Sequence, residues 1–324
     1  MRRHFHSLGA SLLLSLPLQH AAAQEAEEAA AAEATTIAPS SSDPGAGAGA
    51  GTATATDPVQ VAPLRWTATA SGGISARDDG PDGSWQSLSL TRTVGRGYLR
   101  ASAMRYHGTL QQSDLALPSD YYVGTLGAGG NFDNWVVDGW VSFGRQDYGR
   151  ISTSLGSRAS TGAKGSDYYA IGGDFGRVLP LGSRFFLTPT LAASFADGKL
   201  LRPAPDALGL RDQETDEPTW SANATMRVDY AFGSSREHYA GLSFSRNWTS
   251  NGLSALRVRH NPDPDAELPF RLDSKHYADS WFEVGATTNM KLGRNLYLDL
   301  FATRSFGVKA GNVTSAGATL RRSF

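Results

Sequence analysis

Between Trp220 and Phe232 every second residue is apolar. Trp220, Ala222, Ala224, Met226, Val228, Tyr230 and Phe232 alternate with Ser221, Asn223, Thr225, Arg227 and Asp229. A period of two is the signature of a β-strand whose faces meet different surroundings. The run is also about 13 residues long, where strands of soluble proteins average about five or six. The same alternation recurs in Phe185, Leu187, Pro189, Leu191, Ala193 and Phe195; in Phe282, Val284, Ala286, Thr288 and Met290; in Leu296, Leu298, Leu300 and Ala302; and in Ala316, Ala318, Leu320 and Phe324. Repeated long amphipathic strands leave few folds open.

About twelve such strands are expected, near 64–76, 84–94, 97–107, 120–132, 135–147, 166–178, 184–197, 219–232, 238–250, 276–291, 295–306 and 312–324. Short turns at 95–96, 133–134, 179–183, 233–237 and 292–294 alternate with long polar loops at 77–83, 108–119, 148–165, 198–218 and 251–275. An even strand number, with short turns at one end and long loops at the other, is the layout of an all-β, transmembrane, antiparallel up-and-down β-barrel. A soluble sandwich or lipocalin-like barrel explains the alternation but not the strand length, and it would leave Trp281, Tyr297 and Phe301 facing water. On the apolar parity Phe132, Trp135, Phe185, Phe232 and Phe324 fall at short-turn ends, and Tyr169, Phe195, Trp220 and Trp248 at long-loop ends. Two aromatic belts of this kind mark two membrane interfaces.

Composition narrows the function classes. The chain has 30 Lys+Arg against 31 Asp+Glu, so a broad basic surface for nucleic acid is not expected. It has no cysteine, which removes disulfides, thiolate nucleophiles and Cys-type zinc sites. Residues 1–23 read as an export signal: Arg2 and Arg3, an apolar run from Leu8 to Leu18, and Ala21-Ala22-Ala23 before Gln24. Residues 24–61 read as a disordered acidic spacer, rich in Ala, Gly and Pro, whose acids are Glu25, Glu27, Glu28, Glu33, Asp43 and Asp57. The remainder, 62–324, shows no second composition shift and is expected to be one barrel domain.

The run Asn134-Trp-Val-Val-Asp-Gly-Trp-Val-Ser-Phe-Gly-Arg145, a polar loop, the Gly-rich run Tyr169-Ala-Ile-Gly-Gly-Asp-Phe-Gly-Arg177 and then Leu187-Thr-Pro189 resemble, in that order, the translocator barrel of autotransporters. The resemblance implies a twelve-stranded monomer in the outer membrane, with both chain ends on the periplasmic side and a linker that crosses the lumen to a surface passenger. Here only 38 residues, 24–61, stand before the barrel, and they contain no recognisable passenger. The terminal Phe324 resembles the assembly signal read by the barrel-insertion machinery, although Arg322 stands where an apolar residue is usual. Expected partners are therefore outer-membrane lipid, periplasmic chaperones and the barrel-assembly machinery, with no nucleic acid and no cofactor.

On the polar parity Arg227, Asp229, Asp279, Glu283, Asp299 and Arg321 are expected to face the lumen, with Asp138 and Asp174 as further candidates. Both signs are present, so a hydrated lumen with charges paired across strands is expected, conducting weakly and with little selectivity. The functional expectation is a pore, translocation or surface-interaction module, not an enzyme. The alternative is a barrel enzyme, phospholipase- or protease-like, with its site at the extracellular rim. Ser250-Asn251-Gly252 looks like part of an outer-membrane phospholipase pattern, but Trp248 occupies the place of the histidine that would activate Ser250. His107 and His276 sit at outer strand ends, while His260, Asp263 and Asp265 lack a defined metal-ligand spacing. The glycines from Gly124 to Gly130 lie along a strand and not before a helix, so they form no phosphate loop.

Overall fold

The computed structural model describes residues 66–78, 82–111, 116–153, 156–204, 211–233, 236–261 and 270–324. The expected export signal over 1–23 and spacer over 24–61 lie outside them. The described residues form strands and no helix. They are β1 (Trp66–Arg77), β2 (Gly83–Val94), β3 (Gly97–Gln111), β4 (Ala116–Phe132), β5 (Trp135–Tyr148), β6 (Ile151–Thr153), β7 (Gly156–Arg158), β8 (Gly165–Arg177), β9 (Leu179–Pro180), β10 (Phe185–Asp197), β11 (Lys199–Arg202), β12 (Gln213–Asp216), β13 (Thr219–Phe232), β14 (His238–His260), β15 (Phe270–Gly293), β16 (Leu296–Phe306) and β17 (Val313–Ser323).

Twelve of these build a closed antiparallel wall in the order β1-β2-β3-β4-β5-β8-β10-β13-β14-β15-β16-β17, and β17 returns to pair with β1. The seam runs from Thr67↔Ser323 to Arg77↔Val313. It ends in two backbone bonds, Phe324 N–H to Trp66 O at 2.9 Å and Trp66 N–H to Phe324 O at 3.1 Å, so both ends of the domain meet at the short-turn rim. Closure matters because it removes every sheet edge. At the same rim Asp133 (φ 54°) and Asn134 (φ 71°) make the tight turn between β4 and β5, a left-handed pair that Asp and Asn tolerate.

The two faces carry the inverse of a soluble protein's polarity. Leu242 is 65% exposed and Trp220 64%, whereas Arg227 is 3% exposed and Asp229 1%. Apolar side chains cover the outside and polar ones line the inside, which is stable only if the outside is not water.

The wall strands keep the expected order and number. Two features depart from the sequence reading. The segment expected as a long loop at 251–275 is largely strand: β14 runs on to His260 and β15 begins at Phe270, so the hairpin projects beyond the wall after a register shift between Thr249 and Leu253. The loops at 148–165 and 198–218 also carry structure, the small hairpins β6–β7 and β11–β12.

Candidate functional site

The lumen is layered. Near the short-turn end it is charged. Arg227 Nε donates to Asp229 Oδ1 at 3.0 Å, and its other nitrogen donates to Thr287 Oγ1 at 2.9 Å. Arg321 stands 3.9 Å from Asp299 and lies over the Tyr297 ring at 4.8 Å, while Asn289 donates to Asp299. Across the barrel Tyr98 donates to Asp138, Arg100 stands 3.8 Å from Asp138, and Asp174 is the register partner of Asp138. Glu283 is buried in the same interior, and Asp279, nearer the long-loop end, accepts the Lys309 amide at 2.9 Å and the Ser280 amide at 2.7 Å.

Toward the long-loop end the side of the lumen formed by β2–β5 and β8 becomes apolar and aromatic, which the polar-parity reading did not anticipate, while Ser221, Asn247, Thr249 and Asp279 keep the β13–β15 side polar. Trp85, Met104, Tyr106, Leu110, Leu117, Tyr121, Val123, Trp140, Tyr168 and Phe301 form one buried cluster. Glycines make room for these rings. Gly73 and Gly317 are register partners; a β-carbon at Gly73 would fall 2.8 Å from the Trp85 indole, and one at Gly317 2.6 Å from the Phe301 ring. Trp85 and Phe301 can therefore lie flat on the wall, with ring centroids 6.1 Å apart. The glycines of β4 follow the same rule, since Gly127 lies beneath Arg100 and Gly129 beneath Tyr98.

The lid hairpins complete this cluster. Ile151 of β6 and Leu200 and Leu201 of β11 are buried among the inward wall side chains, so the loops fold over and into the long-loop mouth. Two polar networks fasten them. Asp212 accepts two bonds from Arg158, at 2.6 and 2.8 Å, and the amides of Thr161 and Ala204, each at 2.8 Å, joining the two loops. Burial acts to raise the Asp212 carboxyl, but these donors hold it well below the usual carboxylate range.

The second network centres on Glu217, which is 1% exposed. Its Oε1 takes bonds from Arg202 (3.3 Å), Thr215 (3.0 Å) and Ser274; its Oε2 takes one from Asn251 (3.0 Å) and stands 3.1 Å from His276 Nε2. Arg202 also donates to Ser254 Oγ at 2.6 Å and Ser274 Oγ at 3.1 Å. The lid (Arg202, Thr215, Glu217) is thus latched to the projecting β14–β15 hairpin (Asn251, Ser254, Ser274, His276). Burial pushes the Glu217 carboxyl up, but His276, Ser274, Asn251 and Arg202 hold it below its ordinary value. His276 stands beyond the aromatic belt at Trp248, and the Glu217 carboxylate 3.1 Å away raises it above the ordinary imidazole value against an opposing desolvation effect. Polar residues in segments expected as loops gave no sequence signal for this latch.

The catalytic candidates do not come together. Ser250 Oγ accepts the Trp220 amide at 2.8 Å, and Trp248 points outward. His107 is on the outer face of β3, 3.2 Å from Asp120, while His276 belongs to the latch. His260 is exposed on the projecting hairpin, and Asp263 and Asp265 lie outside the described residues. Among the described residues no three His, Asp or Glu side chains cluster as a metal site.

A search of curated proteins finds no match. Among solved structures the β-domain of the Bordetella autotransporter BrkA aligns with TM-score 0.54 at 16% identity, covering 81% of this chain and 99% of that one. The translocator domain of NalP from Neisseria meningitidis aligns with TM-score 0.56 at 14% identity, covering 81% and 88%. An outer-membrane channel from Pseudomonas putida F1 aligns with TM-score 0.52 at 12% identity, covering 83% and 100%. These likenesses share the fold. The family model for the autotransporter β-domain matches residues 96–303, close to two thirds of the sequence, and the chain belongs to that family.

Proposed function

We propose that this chain is an integral outer-membrane barrel acting as a translocation unit whose outer mouth is closed at rest by its own loops. The observation that carries the reading is the Glu217-centred latch, because it ties loop residues buried over the lumen to the projecting β14–β15 hairpin through a buried, charge-assisted network. In this reading the long loops face the outside and both ends of the barrel domain face the periplasm. Conductance of the purified protein in a planar bilayer tests it. The wild type should conduct weakly, and Glu217→Ala, which strands Arg202 without its carboxylate, should raise conductance while the barrel stays folded. Equal conductance in both would refute the closed-mouth reading.

The segment at 24–61 is proposed as the lumen's second occupant. Supporting this, Thr69, Thr91, Thr188, Thr190 and Asn247 line the interior with buried side-chain polar atoms that have no hydrogen-bond partner among the described residues. Deleting 24–57 should raise single-channel conductance, and by less at high salt, where pairing of the spacer's acids with Arg227 and Arg321 is screened. An unchanged conductance would make the spacer a plain tail.

A further inference from the structure

Some outward-facing cations on this barrel have carboxylate partners: Arg105 has Asp120 at 2.9 Å, Arg145 has Asp147 at 3.0 Å, and Arg304 has Asp78 at 2.6 Å. Others stack on rings, as Arg92 does over Trp66 and Arg177 over Trp135 at the short-turn end. Arg246 does so nearer the long-loop end. It lies on the outward parity of β14 between Phe244 and Trp248, half-buried, and among the described residues no carboxylate pairs with it. Its guanidinium stacks 4.3 Å over the Phe282 ring and donates to Ser280 Oγ at 2.7 Å. Phe282 is the register partner of Arg246, and Ser280 that of Trp248, so the side chain leans one step toward the long-loop end. A cation held on the apolar face of a membrane barrel is expensive unless its head reaches the interface and finds an anion there.

Ser280 also lines an outward groove of about 760 Å³ between Trp220 and Trp248. Its floor is made of small residues, Ala193, Ala222 and Ala278, and Lys309 stands at its long-loop end. Asp279 borders the groove, but its side chain is turned inward and its two oxygens take the Ser280 and Lys309 amides. A trough flanked by two interfacial tryptophans, with Lys309 on its lining and Arg246 bonded to its Ser280, matches one kind of occupant by charge.

We propose that this groove binds a phosphate-bearing lipid of the leaflet on the long-loop side, its acyl chain between Trp220 and Trp248 and its phosphate on Arg246 and Lys309. The proposal rests on the membrane-barrel reading above. The probe is diphosphoryl lipid A, compared with its phosphate-free counterpart, added to the full chain in phosphatidylcholine nanodiscs and followed by native mass spectrometry. Wild-type protein should retain the phosphorylated form about tenfold better than the phosphate-free form, the scale of a charge-assisted pair of hydrogen bonds. Arg246→Gln should lose that preference, Ala222→Phe should lower retention of both forms by filling the groove, and Arg145→Gln, whose arginine already has Asp147, should behave as wild type. Retention of phosphorylated lipid by Arg246→Gln at the wild-type level, or displacement by millimolar inorganic phosphate alone, would overturn the proposal. Failure of the wild-type chain to enter nanodiscs at all would instead overturn the barrel reading itself.

Discussion

Met226 and Glu217 show at the level of single side chains how differently the two surroundings treat charge. Met226 sits mid-strand on the outer face, 47% exposed. Met226→Arg should cost about 2–4 kcal/mol in urea unfolding from lipid vesicles, the penalty for a cation near the bilayer midplane, whereas Met226→Leu should be close to neutral. A loss of under 1 kcal/mol for the arginine variant, on the order of an exposed substitution in water, would mean that Met226 does not face lipid. Glu217 is the opposite case, since removing it leaves the buried Arg202 uncompensated. Breaking a buried pair in this way costs about 3–5 kcal/mol, and that loss should appear as an opened lid and not as an unfolded barrel. Proteolysis at the exposed Arg211 should then accelerate in Glu217→Ala while the wall strands stay protected.

At the scale of elements, the latch should respond to pH in two directions. His276 is raised above its ordinary value, so its stabilisation of the lid is complete below the unfolded imidazole pKa and is lost as pH rises through the folded one. Glu217 is lowered, so its contribution is complete above the ordinary carboxylate range and is lost as pH falls through its depressed value. The lid should therefore hold best in mildly acidic solution. Bilayer conductance should increase between pH 6 and pH 8.5, and His276→Gln should remove most of the difference. A flat profile in the wild type would separate the imidazole from lid closure. The same elements show what the sequence made legible. Wall strands such as β13 and β5 declared themselves because one face must be apolar along the full length, and a period of two carries that constraint in local order. The lid did not, because Leu200, Leu201 and Ile151 are isolated apolar residues in polar loops and become core only when the closed wall brings them over Tyr121 and Tyr168. Arg202 and Glu217 meet locally across the β11–β12 hairpin, but they reach Asn251, Ser254, Ser274 and His276 only through that closure. The glycines of β4 and β8 were visible but unexplained until the rings and the guanidinium lying across them were placed: a β-carbon at Gly172 would fall 2.5 Å from the Trp140 ring.

For the whole molecule, closure of twelve strands fixes where function can reside. The backbone is satisfied within the wall, the termini meet at the short-turn rim, and variable chemistry is left to the lumen and the long-loop mouth. A folded barrel of this kind should migrate faster on gels before boiling than after, and should fractionate with outer membranes. Its charged layer near the short-turn end and aromatic layer beneath the lid make the lumen asymmetric, which suits a conduit that opens at one mouth. The most direct measurement of this account exploits the absence of cysteine. Single cysteines at Arg211 in the lid loop and at Asn295 in the turn between β15 and β16 are labelled with a membrane-impermeant maleimide on intact cells. The account predicts that Arg211→Cys is labelled directly and Asn295→Cys only after the outer membrane is permeabilised; labelling of both without permeabilisation, or of Asn295→Cys alone, would contradict it.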